Sequence, residues 1–120
     1  MVPARTTQDN MVGDLYRLTA AEVRAKIQDG EITVEDYAKS LLGRIRARDD
    51  AVRAWAYLDE EHVIEQAKAL DALPPAERGP LHGIAIAVKD VIYTKGAPKA
   101  YQSQACFLLT QQRFRHAYAV

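Results

Sequence analysis

The sequence predicts an α/β fold in which helices alternate with short strands. Three observations carry that prediction. Helical periodicity recurs in three stretches, each opened by a residue suited to cap a helix. Two short apolar runs, Ala54-Trp55-Ala56-Tyr57-Leu58 and Ile84-Ala85-Ile86-Ala87-Val88, flank the third stretch. Both are too short for helices and rich in aromatic or β-branched residues, as strands are. Strand, helix and strand over residues 54–88 are long enough for a right-handed crossover between two parallel strands.

Residues 1–17 show no period and are expected to form a flexible lead-in. Thr19 and Glu22 then have capping-box spacing, hydroxyl and carboxylate each satisfying the other's backbone donor. The first helix is expected over Ala20–Asp29, with Val23 and Ile27 inward and Gly30 as its stop. Thr33 opens a second helix. Its apolar positions Val34, Tyr37, Ala38, Leu41, Leu42 and Ile45 form an unbroken stripe at helical spacing, with Lys39, Arg44, Arg46 and Arg48 off it. After the aromatic run, Asp59 caps a third helix over Glu60–Leu73, with Val63, Ile64, Ala67 and Leu70 inward, and Pro74-Pro75 ends it.

At 120 residues the chain makes at most one domain, and its 48% apolar and 27% charged composition is that of a globular protein. A net charge of zero gives no general pull toward nucleic acid or an acidic membrane surface. One cysteine, Cys106, excludes an internal disulfide framework and fits a reducing compartment, so the expected location is cytoplasmic. No apolar run reaches the ~20 residues of a bilayer span. The charge is uneven along the chain: all 16 acidic residues lie at or before Asp90, and only Lys95, Lys99, Arg113 and Arg115 carry charge beyond it. With Gln102, Gln104, Gln111 and Gln112 and no sustained period, residues 96–120 read as a divergent, disordered tail on a core portion spanning residues 18–95.

The stretch richest in chemical information is Gly79-Pro80-Leu81-His82-Gly83-Ile84-Ala85-Ile86-Ala87-Val88-Lys89-Asp90. Five consecutive apolar residues predict a strand buried on both faces. A lysine at its end is expected near the interior, where desolvation favours the neutral amine and makes it a base.

Together with Leu18–Glu22, Gly30–Asp36 and Ala54–Tyr57, that stretch resembles the opening of the amidase signature family, serine hydrolases that cleave carboxamide bonds. The resemblance covers roughly residues 15–95. Family members commonly place proline where this chain has Ala85. The resemblance implies a Ser–cis-Ser–Lys triad on a mixed sheet wrapped by helices, with no metal or organic cofactor and a small-molecule amide as substrate of the intact protein. Lys89 corresponds to the general base and is the one catalytic residue that carries over. Its serine partners do not. The chain holds two serines: Ser40, within the second helix, and Ser103, which has no glycine nearby. A serine approaching an oxyanion hole needs permissive backbone around it. No two of the six glycines lie closer than four residues apart. The expectation is therefore an N-terminal amidase fragment, inactive alone, left by truncation or a shifted reading frame near residue 95.

The alternative is a non-catalytic interaction module that docks through the Val34–Ile45 stripe and open strand edges, with a full-length amidase as its partner. His82 is expected to shape the turn and bond backbone groups, and Asp90 to cap or pair locally. Cys106 reads as an ordinary free thiol. His62, His82, His116 and Cys106 have no zinc-ligand spacing.

Overall fold

The computed structural model describes residues 14–89 and the backbone of 105–109. Helices α1 (Ala20–Gln28), α2 (Val34–Val52) and α3 (Glu60–Asp71) surround strands β1 (Trp55–Tyr57), β2 (Ala85–Lys89) and β3 (Ala105–Leu109), which form one sheet in the order β1-β3-β2.

The helix starts follow from their capping residues. Thr19 and Thr33 each head a complete capping box, closed by Glu22 and Asp36 respectively. The Asp59 side chain accepts the His62 N–H at 3.0 Å. α1 stops at Gly30, whose φ of +73° suits a residue without a Cβ. α2 ends at Arg53, held in the left-handed region at φ +52°, and the Asp49 carboxylate accepts the following Ala54 N–H at 2.8 Å. That bond turns the chain out of the helix into β1.

One core joins the helices. Val23 and Ile27 of α1, Val34, Tyr37, Ala38 and Leu42 of α2, and Val63, Ala67 and Leu70 of α3 are all buried, with Ile84 from the approach to β2. Leu41 and Ile45 pack against this cluster. The stripe expected on the second helix is thus consumed inside the chain. It is not a free docking face, because α3 and the 3-10 turn at Leu15–Arg17 pack against α2 and its stripe lies in the core.

The segment before α1 also contributes. Asp14–Arg17 were expected to belong to a flexible lead-in, yet residues 15–17 form a 3-10 turn against α2. Leu15 is buried, and the Tyr16 N–H donates to Ser40 Oγ at 3.1 Å. Arg44 lies over the Tyr16 ring, 5.1 Å from its centroid.

The sheet departs from the expected crossover. β1 and β2 are neither adjacent nor parallel: β3 lies between them, parallel to β1 and antiparallel to β2. The central strand comes from the stretch expected to be a disordered tail. Among the described residues β2 is therefore an edge strand, and its burial corrects the expectation of two covered faces. Ile84 is buried, Ala85, Ile86 and Val88 are half-buried, and Ala87 and Lys89 are exposed. Ala87 and Lys89 share one face of the sheet, and that face lacks a covering layer toward the end of the strand among the described residues.

Candidate functional site

The candidate site is the end of β2, and it is built by the turn that launches the strand. Ala72 N–H closes α3 onto the Lys68 carbonyl at 3.1 Å, and a short 3-10 turn at Pro75–Glu77 follows. Arg78 then folds back over the helix end, donating from Nε to the Leu73 carbonyl at 2.9 Å and from Nη2 to the Asp71 carbonyl at 3.1 Å. The Asp71 carboxylate bonds α2, accepting Val34 N–H at 2.8 Å and Glu35 N–H at 3.0 Å. One residue thereby ties the start of α2 to the end of α3, placing a negative charge where the helix presents unpaired N–H groups.

The next residues make a tight corner. His82 N–H donates to the Gly79 carbonyl at 3.2 Å and Ile84 N–H to the Leu81 carbonyl at 3.1 Å. Gly83 has φ +76°, and a Cβ there would lie 2.6 Å from Val34 Cγ2 and 3.1 Å from Ile27 Cδ1. Only glycine lets the backbone approach α1 and α2 this closely while adopting that conformation. β2 leaves the corner with its direction set.

The sequence-predicted residues fall as follows. Lys89 ends β2 and pairs in register with Ala105 of β3. It is exposed, so the burial expected to make it a base is lacking among the described residues. Ser40 is buried, and its hydroxyl serves the contact between α2 and the 3-10 turn ahead of α1. His82 shapes the turn through its backbone, whereas its side-chain Nε2 is buried without a hydrogen-bond partner. Burial, reinforced by Arg78 and opposed by Asp71, holds its imidazole below the ordinary value of 6.5. Asp90, Ser103 and His116 lie outside the described residues, as does the side chain of Cys106. His62 sits on the exposed face of α3 beside Gln66. Among the described residues no cluster of three His, Cys, Asp or Glu side chains is placed to hold a metal, and no helix is long and apolar enough to cross a membrane.

Sequence reasoning missed Asp71 and Arg78. The available signal was an acidic residue closing a helical period just before Pro74-Pro75, and a lone arginine between that break and Gly79-Pro80.

Comparison with known proteins supplies the rest. The family model described as Amidase matches residues 36–107. The chain is 39% identical over 97 residues to a glutamyl-tRNA(Gln) amidotransferase subunit of Streptomyces coelicolor, covering 78% of this chain and 19% of that protein. The corresponding protein of Acidothermus cellulolyticus is 43% identical over 89 residues, 72% of this chain and 18% of the relative. That of Exiguobacterium sp. is 42% identical over 82 residues, 68% and 17%. The chain thus spans about a fifth of the length of these curated relatives. No solved structure matches it.

Proposed function

The chain belongs to the amidase family, and from that membership we propose that it carries the lysine base of an amide hydrolase while lacking the means to run the reaction alone. In the proposed chemistry the neutral Lys89 amine accepts a proton from one serine hydroxyl, which takes the proton of a second. The second serine's oxygen attacks the amide carbonyl, and the nitrogen leaves protonated as ammonia or an amine. Water then hydrolyses the acyl-serine to the acid. A hydroxyl is a weak nucleophile, and a relay to a lysine held neutral is one way to activate it near neutral pH.

The observation that carries this reading is the position of Lys89. It is the last residue of a strand whose course is fixed by Gly83, Arg78 and Asp71, at a sheet edge that is open among the described residues. Support for inactivity of the 120 residues alone comes from the exposure of Lys89 and from the commitment of the Ser40 hydroxyl to the Tyr16 amide. The same open edge favours association of β2 with further polypeptide of the amidase fold, which would cover the lysine. The relatives' names make an amidotransferase component the first form to test, and the lone cysteine favours a cytoplasmic setting.

The test has two arms. The purified 120-residue chain is expected to release no ammonia from glutamine or a simple carboxamide. Release that Lys89→Ala abolishes overturns the inactivity reading. In a chimera of residues 1–89 joined to the remainder of the Streptomyces coelicolor relative, Lys89→Ala is expected to lower amide hydrolysis by roughly 10²–10⁴-fold, the usual contribution of a general base. An unchanged rate there removes Lys89 from the chemistry.

A further inference from the structure

Beside the His82 corner, α1 and the turn after α3 border a partly open cavity of about 170 Å³. Among its walls are Arg24 and Gln28 from α1, and Arg78 and His82 from the turn. No carboxylate side chain lines it. Neither arginine enters an ion pair among the described residues. Arg78 spends Nε and Nη2 on the carbonyls of Leu73 and Asp71, which are neutral acceptors. The carboxylate of Asp71 is already engaged by the amides of Val34 and Glu35. Nε2 of His82 is buried with no partner. Two guanidinium groups without an ion pair among the described residues therefore border one recess, with His82 in its wall.

We propose that this cavity binds a small tetrahedral oxyanion, a phosphate ion or the head of a phosphomonoester, between Arg24 and Arg78, with His82 and Gln28 adding neutral hydrogen bonds. The inference does not depend on the amide chemistry proposed above. Guanidinium forks match phosphate oxygens in geometry as well as charge. The volume exceeds the ~30 Å³ share of a single water and falls below the ~300 Å³ at which organic ligand pockets begin, so it suits an ion of a few heavy atoms. The five donors of Arg24, those Arg78 keeps after its two carbonyl bonds, an imidazole and an amide outnumber the roughly four acceptor sites of a carboxylate. A tetrahedral ion supplies the additional acceptors.

The test is ³¹P line broadening of inorganic phosphate by the full chain at matched ionic strength, together with histidine imidazole resonances followed in the same titration. Saturable broadening and a shift of the His82 resonances are expected. Arg24→Ala removes an exposed side chain that supports nothing else among the described residues, and should weaken binding roughly tenfold or more, the worth of one charge-assisted hydrogen bond. Arg48→Ala removes the same charge from an exposed position on α2 and should leave binding unchanged. Equal weakening by both variants, or equal competition by chloride, overturns the proposal as mere charge attraction. Equal competition by acetate overturns the assignment to a tetrahedral ion. Methyl phosphate then separates the sources: competition as strong as phosphate marks a phosphomonoester head, and none marks the free ion.

Discussion

Gly83→Ala tests the corner that aims β2, and Gly30→Ala is its internal control. The two glycines share a backbone conformation, with φ of +76° and +73°. They differ in surroundings: a Cβ on Gly30 meets nothing within 4 Å, whereas on Gly83 it meets Val34 Cγ2 at 2.6 Å, Ile27 Cδ1 at 3.1 Å and Val34 Cγ1 at 3.3 Å. Placing alanine in the left-handed region costs about 1–2 kcal/mol. That is the whole cost expected at Gly30, less a few tenths for the stiffer unfolded chain. At Gly83 an overpacking cost of about 1–3 kcal/mol is added. Val34 is fully buried and β-branched on a helix, so its methyls have one strongly preferred rotamer and cannot swing aside. Gly83→Ala should therefore destabilise by about 2–4 kcal/mol and Gly30→Ala by about 1 kcal/mol. Urea melts followed by far-ultraviolet circular dichroism measure both, and an unchanged m-value confirms comparable end states. In a Val34→Ala background most of the excess at residue 83 should be lost, the Ile27 contact and the conformational cost remaining, giving a coupling of about 1–3 kcal/mol. If Gly83→Ala costs no more than Gly30→Ala, close approach does not position β2 and the account of the corner is wrong.

The same contacts carry three more expectations. The His82 imidazole is held below 6.5, so as pH falls the unfolded chain takes up this proton first, and stability declines as pH drops below about 6.5. His82→Gln should flatten the stability slope between about pH 6.5 and 5, a window that excludes Glu22, whose carboxylate is held below 4.5 chiefly by the Thr19 amide. An identical slope in the variant would assign it elsewhere. Asp71→Ala removes both bonds at the start of α2 and should cost about 1–3 kcal/mol, with faster hydrogen exchange at the Val34 and Glu35 amides. Unchanged exchange there would refute the cap. Leu42→Ala should cost about 2–5 kcal/mol, while Leu81→Ala, at a residue 59% exposed, should stay within about 0.5 kcal/mol. Similar losses would misplace the core.

The helices were legible in the sequence because their signals are local. Thr19 with Glu22, and Thr33 with Asp36, lie three residues apart, and the stripe from Val34 to Ile45 repeats within a single helix. The sheet was not legible, because its pairing joins residues far apart in sequence. β3 pairs Ala105 with Trp55 and Leu109 with Ala85, and nothing local to Ala105–Leu109 names those partners. Asp71 was missed for the same reason: its amide partner Val34 is 37 residues away, and an acidic residue near a helix end is ordinary until that partner is known. The burial of β2 was misjudged because an apolar run states what a strand tolerates, whereas the number of neighbouring layers decides what it receives.

That distinction bears on the proposed base itself. A lysine amine needs two things to accept protons near neutral pH: a fixed position and a surrounding poor in water. Position is supplied within this chain, by Gly83 against Val34, by Arg78 across the end of α3, and by Asp71 at the start of α2. Surroundings are not supplied among the described residues, since Lys89 ends an edge strand and stands exposed. In the proposed chemistry the two requirements would fall on different parts of the amidase fold, with this chain aiming the side chain and a layer laid over β2 tuning it. On this argument Gly83→Ala and a change in the covering layer affect hydrolysis in the chimera differently. The first shifts the amine relative to its serine and should lower the rate at every pH. The second leaves the geometry intact and should move the pH at which the rate rises. A uniform loss from both would mean that position and medium are not separable here, and that the division drawn between them is false.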